Sequence, residues 1–283
     1  MNSAIQERIR LDELQYETAL ANIADRVCRS REIKLVLIAG GSCSGKTTTT
    51  RKLSELINAS GRRAYTVSLD DYYRNMDESV YLPDGTRDIE SLQSLRVDLI
   101  HSSLQALLDG EEASIPMFDF KTGKRTDDYR RIKLTNGDVV LIEGLHALSP
   151  ELFAKAPKET AVYRVYLYAD AGDDSDCRFV RRLVRDSRHR NSDAEELFDL
   201  WDNVKENEYA SIVPFRKYAD VTINTFFPYE RSILNDDAVR LLNAVSEDNE
   251  HIQAAKNLIK VLEPVEPWID DYVPENSLLR EFM

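Results

Sequence analysis

The chain has 283 residues, 42% of them hydrophobic and 31% charged, which excludes a disordered, collagen-like or disulfide-framework protein. Its 37 Lys and Arg face 50 Asp and Glu, a formal net charge of −13, and such a field repels polynucleotides and anionic lipid, so neither nucleic acid nor a membrane is an expected partner. Three scattered cysteines (Cys28, Cys43, Cys177), histidines without zinc-ligand spacing to them, and the lack of any apolar run near ~18 residues make a cytoplasmic protein the expectation.

Residues 1–30 carry Ile5, Ile9, Leu11, Leu14 and Leu20 among Glu and Arg, the spacing of an amphipathic helix. They form a first unit ahead of a main domain over 31–283, either packed on it or free to meet a partner. KLVLIAGG is a short apolar run ended by glycines, and KTTTTRKLSELINASG then reads as a helix closed by Gly61. RAYTVSLDD predicts another strand, and residues 89–110 a helix stopped by Gly110. Thr-Gly and Asn-Gly signals in PMFDFKTGKRTDDYRRIKLTNGD predict a β-hairpin excursion. DVVLIEG and AVYRVYLYA are apolar and β-branched enough for strands covered on both faces. The alternation predicts an α/β fold, a parallel sheet flanked by helices.

Gly40, Gly41, Ser42, Cys43, Ser44, Gly45, Lys46 and Thr47 fit G-x-x-x-x-G-K-S/T between a predicted strand and a predicted helix. That context turns a pattern into a P-loop. The glycines let consecutive N–H groups face phosphate oxygens, the helix start adds its dipole, Lys46 reaches the β- and γ-phosphates, and the Thr47 hydroxyl can ligate Mg²⁺. ATP is the expected nucleotide, with Thr48 the last residue of its cradle.

Asp70 and Asp71 follow the second predicted strand, and parallel sheets hold ligands beyond the carboxyl ends of their strands. A carboxylate there can take a proton from a hydroxyl and help hold Mg²⁺. Val139–Glu143 is an apolar strand ending in an acid, the form of a Walker-B carboxylate. In residues 178–190, Arg178, Arg181, Arg182, Arg185 and Arg188 share a helix face opposite Phe179, Val180, Leu183 and Val184. Such a face is either solvated and ion-paired, or a lid whose guanidinium groups meet the transferring phosphoryl group.

With these residues in order and register, the chain resembles the uridine kinase/phosphoribulokinase-like P-loop kinases over approximately 31–283. The carriers are the P-loop, SLDDYY, PMFDF, VVLIEG and RRLVRDSRHRN; VPFRKYADVTINTFFPYE and VPENSLLREF look like a bacterial nucleoside kinase subgroup. The resemblance implies ATP-dependent phosphorylation of a nucleoside 5′-hydroxyl, uridine or cytidine first, with an arginine-rich helical lid. It implies Asp70 as catalytic base beside Lys46, Tyr73 as its following aromatic, and Thr47, Asp70 and Glu143 as magnesium-associated. Arg182 and Arg185 match lid arginines on the ATP side, and Arg190 matches an arginine near the acceptor. Family positions that read the pyrimidine fall on Phe118 and Gly123, a further lid arginine is replaced by Ser192, and the acid for the ribose hydroxyls has its nearest match in Asp88. Kinases of another small hydroxyl compound, such as a sugar phosphate, and a nucleotide-binding regulatory protein are the alternatives; homo-oligomerisation stays open. The chain has no N-K-x-D for a guanine switch and no LSGGQ-like motor signature.

Overall fold

The computed structural model describes residues 2–81, 85, 87–154, 161–172, 176–190 and 192–283. Met1 of the predicted first helix and Asn191 of the arginine motif lie outside the described residues. Helix α1 (Asn2–Arg29) leads into strand β1 (Ile33–Gly40), helix α2 (Lys46–Ala59) and strand β2 (Ala64–Ser68). Two short strands follow, β3 (Val80–Tyr81) and β4 (Arg87–Asp88), then helix α3 (Val97–Leu108). Strands β5 (Glu112–Asp119) and β6 (Lys124–Lys133) precede β7 (Val139–Glu143) and β8 (Ala161–Tyr168). Helices α4 (Cys177–His189) and α5 (Ala194–Ser211), strand β9 (Val221–Asn224), and helices α6 (Glu230–Leu242) and α7 (Ile252–Leu262) complete the chain.

Five strands form one parallel sheet in the order β2-β7-β1-β8-β9. Because side chains alternate across a strand, the sheet feeds two cores. Val36 and Ile38, Val139 and Leu141, Val165 and Leu167 face one; Leu35 and Leu37, Val140 and Ile142, Tyr166 face the other. The first core is closed by α1, α2 and α4 to α7, the second by α3 and the antiparallel β5–β6 hairpin. This two-sided covering is why these strands read as unbroken apolar runs. The chain crosses from β1 outward to β2 on one side and reaches β8 on the other, so the switch point lies at the carboxyl end of β1.

The predicted α/β sheet and hairpin excursion are present. The helix expected over 89–110 starts only at Val97. The Asp88 carboxylate accepts the N–H groups of Glu90 and Ser91 at 3.1 and 2.9 Å, an Asx-type turn that competes with helix formation. Arg74 N–H then donates to Ser94 and Arg96 N–H to Tyr72, at 2.9 and 2.8 Å. Residues 89–96 therefore run beside the loop after β2, which carries Asp70. Strand β9 and the β3–β4 pair were not predicted; both are too short to show a period.

Helix α1 buries Ile9, Tyr16, Leu20, Ile23 and Val27 in the first core. The Tyr16 hydroxyl is 2.7 Å from Thr49 Oγ1 on α2. Arg62, 1% exposed, donates to the carbonyls of Val27, Ile33 and Gly137, joining the end of α1, the start of β1 and the turn into β7. Among the described residues no helix is long and apolar enough to cross a membrane.

Candidate active site

Strand β1 ends in the loop 40–45, and helix α2 starts at Lys46. Gly45 has φ 78°, and a Cβ on it would stand 2.4 Å from Leu278 Cδ1, so both conformation and space demand glycine. At Gly41 the crowding comes from Arg178 and Glu208 side chains. Cys43 also takes a positive φ, 57°, and is buried against the first core. Lys46 Nζ donates to the Gly41 carbonyl at 2.9 Å, so the loop curls around the lysine.

A cleft of about 430 Å³ opens over this loop. From the loop and α2 it takes Ser42, Cys43, Gly45, Lys46, Thr47 and Thr48; from the end of β7, Glu143, and from the segment after β2, Asp70 and Tyr73. The hairpin adds Phe118, and α4 with the residue after it adds Arg182, Arg185 and Arg190. The sequence-predicted residues therefore converge, with four exceptions. Gly40, Gly41 and Ser44 shape the loop from behind, and Asp88 spends its carboxylate on the turn at 90–91 and lies outside the cleft.

Asp70 and Asp71 diverge. Ser68 Oγ accepts the Asp70 N–H and donates to Glu143 Oε1 at 2.7 Å, linking the ends of β2 and β7. The Asp71 carboxylate instead accepts the Phe118 N–H at 3.4 Å, fastening the hairpin. Thr47 Oγ1 donates to Glu143 Oε1 at 3.4 Å. Burial raises the pKa of Asp70, opposed by Lys46, Arg190 and Arg185. Burial, then the Asp70 charge, pushes Glu143 up to about 7. Acids this crowded and dry are short of positive charge.

Glu90 is a cleft residue that sequence reasoning missed. It lines the cleft, burial raises its pKa, and Arg182 and Lys46 are its main opposing charges. Arg182 Nη1 lies 3.8 Å from it. The Glu90 carbonyl accepts from His146 Nε2 and Asn207 Nδ2, both at 2.8 Å, so its backbone is held from two elements. The only hint in the sequence is its place two residues beyond an Asp that can cap a turn. Phe120 was missed as well: with Tyr73 and Phe118 it forms a ring cluster with centroids 5.1–6.0 Å apart, and the Arg190 guanidinium lies 5.9 Å from its ring. Gly123 lines the same end, facing Met76.

The arginine face of α4 divides. Arg178 pairs with Glu208, Arg181 with Glu230, and Arg188 with Asp237. Arg182 donates to Ser42 Oγ at 3.3 Å and, with Arg185, shares Asp186. Only this second pair and Arg190 face the cleft. Ser192, at the expected place of another arginine, bonds Glu196 at 2.9 Å.

The model of the phosphoribulokinase / uridine kinase family matches residues 35–228. The chain belongs to that family. Like its relatives it is a kinase, a phosphotransferase. It is 30% identical over 208 residues to the uridine kinase of Deinococcus deserti, covering 73% of this chain and 92% of that one. To the uridine kinase of Halobacterium salinarum it is 28% identical over 187 residues, 66% of this chain and 77% of the other. A D-glycerate 3-kinase from Cryptococcus neoformans shares the fold, with a TM-score of 0.50, 15% identity and 72% and 89% of the two chains covered.

Proposed function

We propose that this kinase transfers the γ-phosphoryl group of ATP to the 5′-hydroxyl of a nucleoside, uridine or cytidine before others, releasing ADP and the nucleoside monophosphate. The observation that carries the reading is the meeting of Lys46, Asp70, Glu143 and Glu90 in one cleft at the switch point of the sheet, with an aromatic wall beside them. Names of relatives support the acceptor: those of Deinococcus deserti and Halobacterium salinarum are uridine kinases.

Lys46 and the N–H groups at the start of α2 would hold the β- and γ-phosphates. Asp70 would align the acceptor hydroxyl and take its proton as the new O–P bond forms and the bond from γ-phosphorus to the bridging oxygen breaks. Arg182 and Arg185 would meet the charge spread over the phosphoryl oxygens. On the acceptor side, Glu90 replaces Asp88 as the acid for the ribose hydroxyls. Phe118 and Tyr73 offer ring faces to the base, and Arg190 closes that end.

Mg²⁺ fits the donor set. The Thr47 hydroxyl and the carboxylates of Glu143 and Asp70 are hard oxygen ligands, and the high pKa that burial gives both acids is the state a divalent cation would reverse. Bound there, Mg²⁺ supplies charge neutralisation of the phosphate oxygens.

The test is ADP release from ATP and magnesium with uridine, cytidine, purine nucleosides, D-glycerate and a pentose phosphate offered singly. Turnover with the pyrimidine nucleosides is expected. Turnover with the pentose phosphate alone would transfer the protein to another acceptor class.

A further inference from the structure

The family match ends at residue 228, yet Glu281, which lines the cleft, comes from beyond it. Leu278, Leu279 and Phe282 are fully buried. Ser277 Oγ accepts the Leu279 N–H and bonds the Tyr229 hydroxyl, each at 3.0 Å. Leu278 fills the space above Gly45, and the Phe282 ring lies 4.8 Å from the Arg181 guanidinium. A backbone held at so many points directs Glu281 into the cleft. There its Oε2 accepts from Thr48 Oγ1 at 2.6 Å and from the Thr48 N–H at 3.3 Å.

That N–H is one of the free amides at the start of α2, the groups that cradle α- and β-phosphates when such a loop holds a nucleotide. A carboxylate and a phosphate cannot share it. Both are anionic acceptors, and at hydrogen-bond distance from one donor they repel each other. We propose that Glu281 is a built-in anion that competes with nucleotide phosphate for the Thr48 amide, and that an incoming nucleotide must displace its carboxylate from Thr48. The inference rests on reading the loop as the donor-phosphate site.

The displacement needs only the Glu281 side chain to turn, since Leu278, Leu279 and Phe282 keep their places. Arg185 lines the same cleft and is a cation the displaced carboxylate can approach; the Glu281 charge is already among those that raise the Arg185 pKa. Apparent affinity is the intrinsic affinity scaled by the fraction of molecules that can bind. A charge-assisted contact that blocks about nine molecules in ten therefore weakens nucleotide binding about tenfold.

Calorimetric titration of the full chain with ADP, at constant magnesium, tests this. Glu281→Ala should bind ADP about tenfold more tightly than the natural chain, and Glu281→Gln should fall between, because its amide oxygen still accepts from Thr48 but carries no charge. Without ADP the alanine variant should melt lower than the natural chain, and ADP should raise its melting temperature by more. A residue that merely fastened the segment would lower melting with and without ADP and leave affinity equal or weaker. Equal or weaker binding by both variants overturns the proposal; if the alanine variant does not melt cooperatively, the glutamine variant decides. A natural chain that takes up no adenine nucleotide would bring down the donor-site reading itself, and this inference with it.

Discussion

Asp70 and Asp71 are neighbours whose carboxylates serve different parts of the molecule, one the cleft and one the backbone of the hairpin. Asp70→Asn should lower kcat by roughly 10²–10⁴-fold, the range of a lost general base, with ATP binding still measurable. Asp71→Asn keeps an acceptor for Phe118 and should cost far less; a crippled Asp71→Asn beside a normal Asp70→Asn would shift the mechanism by one residue. Glu143 gives a pH test. Its folded pKa of about 7 lies above the ordinary 4.5, so the folded state keeps a proton that the unfolded chain has lost between those values. The stability tied to that proton is complete below about 4.5 and gone above about 7. In protein free of metal and nucleotide, Glu143→Gln should therefore gain in melting temperature on the natural chain as pH rises from 5 to 8. A constant difference across that range would place the acid in a wetter setting. At this scale the sequence disclosed what local geometry dictates. Lys46 and Thr47 follow a loop whose backbone defines their place, and Glu143 ends an unbroken apolar strand. Glu90 stayed hidden because its position depends on Asp88 capturing two amides and on His146 and Asn207, 56 and 117 residues away, holding its carbonyl.

Helix α4 shows how one amphipathic element can divide its charges between stability and chemistry. Periodicity placed the arginines on one face, but periodicity cannot say which of them meet an acid from a distant helix. Arg181 and Glu230 are 0% and 2% exposed at their side chains. Arg181→Ala strands a buried carboxylate and should cost about 3–5 kcal/mol of stability, read as a lowered melting temperature. Arg182→Ala and Arg185→Ala should instead lower kcat more than they weaken ATP binding, since the charge they meet is greatest during transfer. If all three variants lose only stability, the face is structural throughout. The helix expected from residue 89 is the companion case: apolar spacing suggested a long helix, and a side-chain turn at Asp88 converted its first turns into the strip that carries Glu90.

Across the whole molecule, α1 and residues 229–283 lie outside the family match, and the first reaches helix α2 behind the nucleotide loop while the second reaches the loop itself. Tyr16 touches Thr49, Glu13 accepts from the Tyr229 hydroxyl at 2.6 Å, and Tyr229 bonds Ser277. Removing residues 1–30 would expose the apolar face of α2 and leave Arg62 without the Val27 and Ser30 carbonyls. The shortened chain should lose its cooperative melting transition; a chain that melts as before and turns over ATP would make the helix an independent arm. Four of the five sheet strands were legible as runs of their own, whereas β9, only four residues long, was not. The packing of both flanking segments on α2 and its loop was not legible, since nothing in either segment names its partner.

The contact between Glu281 and Thr48 joins residues 233 positions apart, and Leu278 settles over Gly45 across a similar span. Contacts so distant along the chain close late, because the loop entropy they must overcome is large and their rewards arrive together. On a translating ribosome, the sheet strands through β9 can pair while the phosphate loop still lacks its cover. Only when residues through Phe282 have emerged can that cover fall into place. A loop that formed before then would stand without Leu278 over Gly45 and without the Glu281 carboxylate on the Thr48 amide.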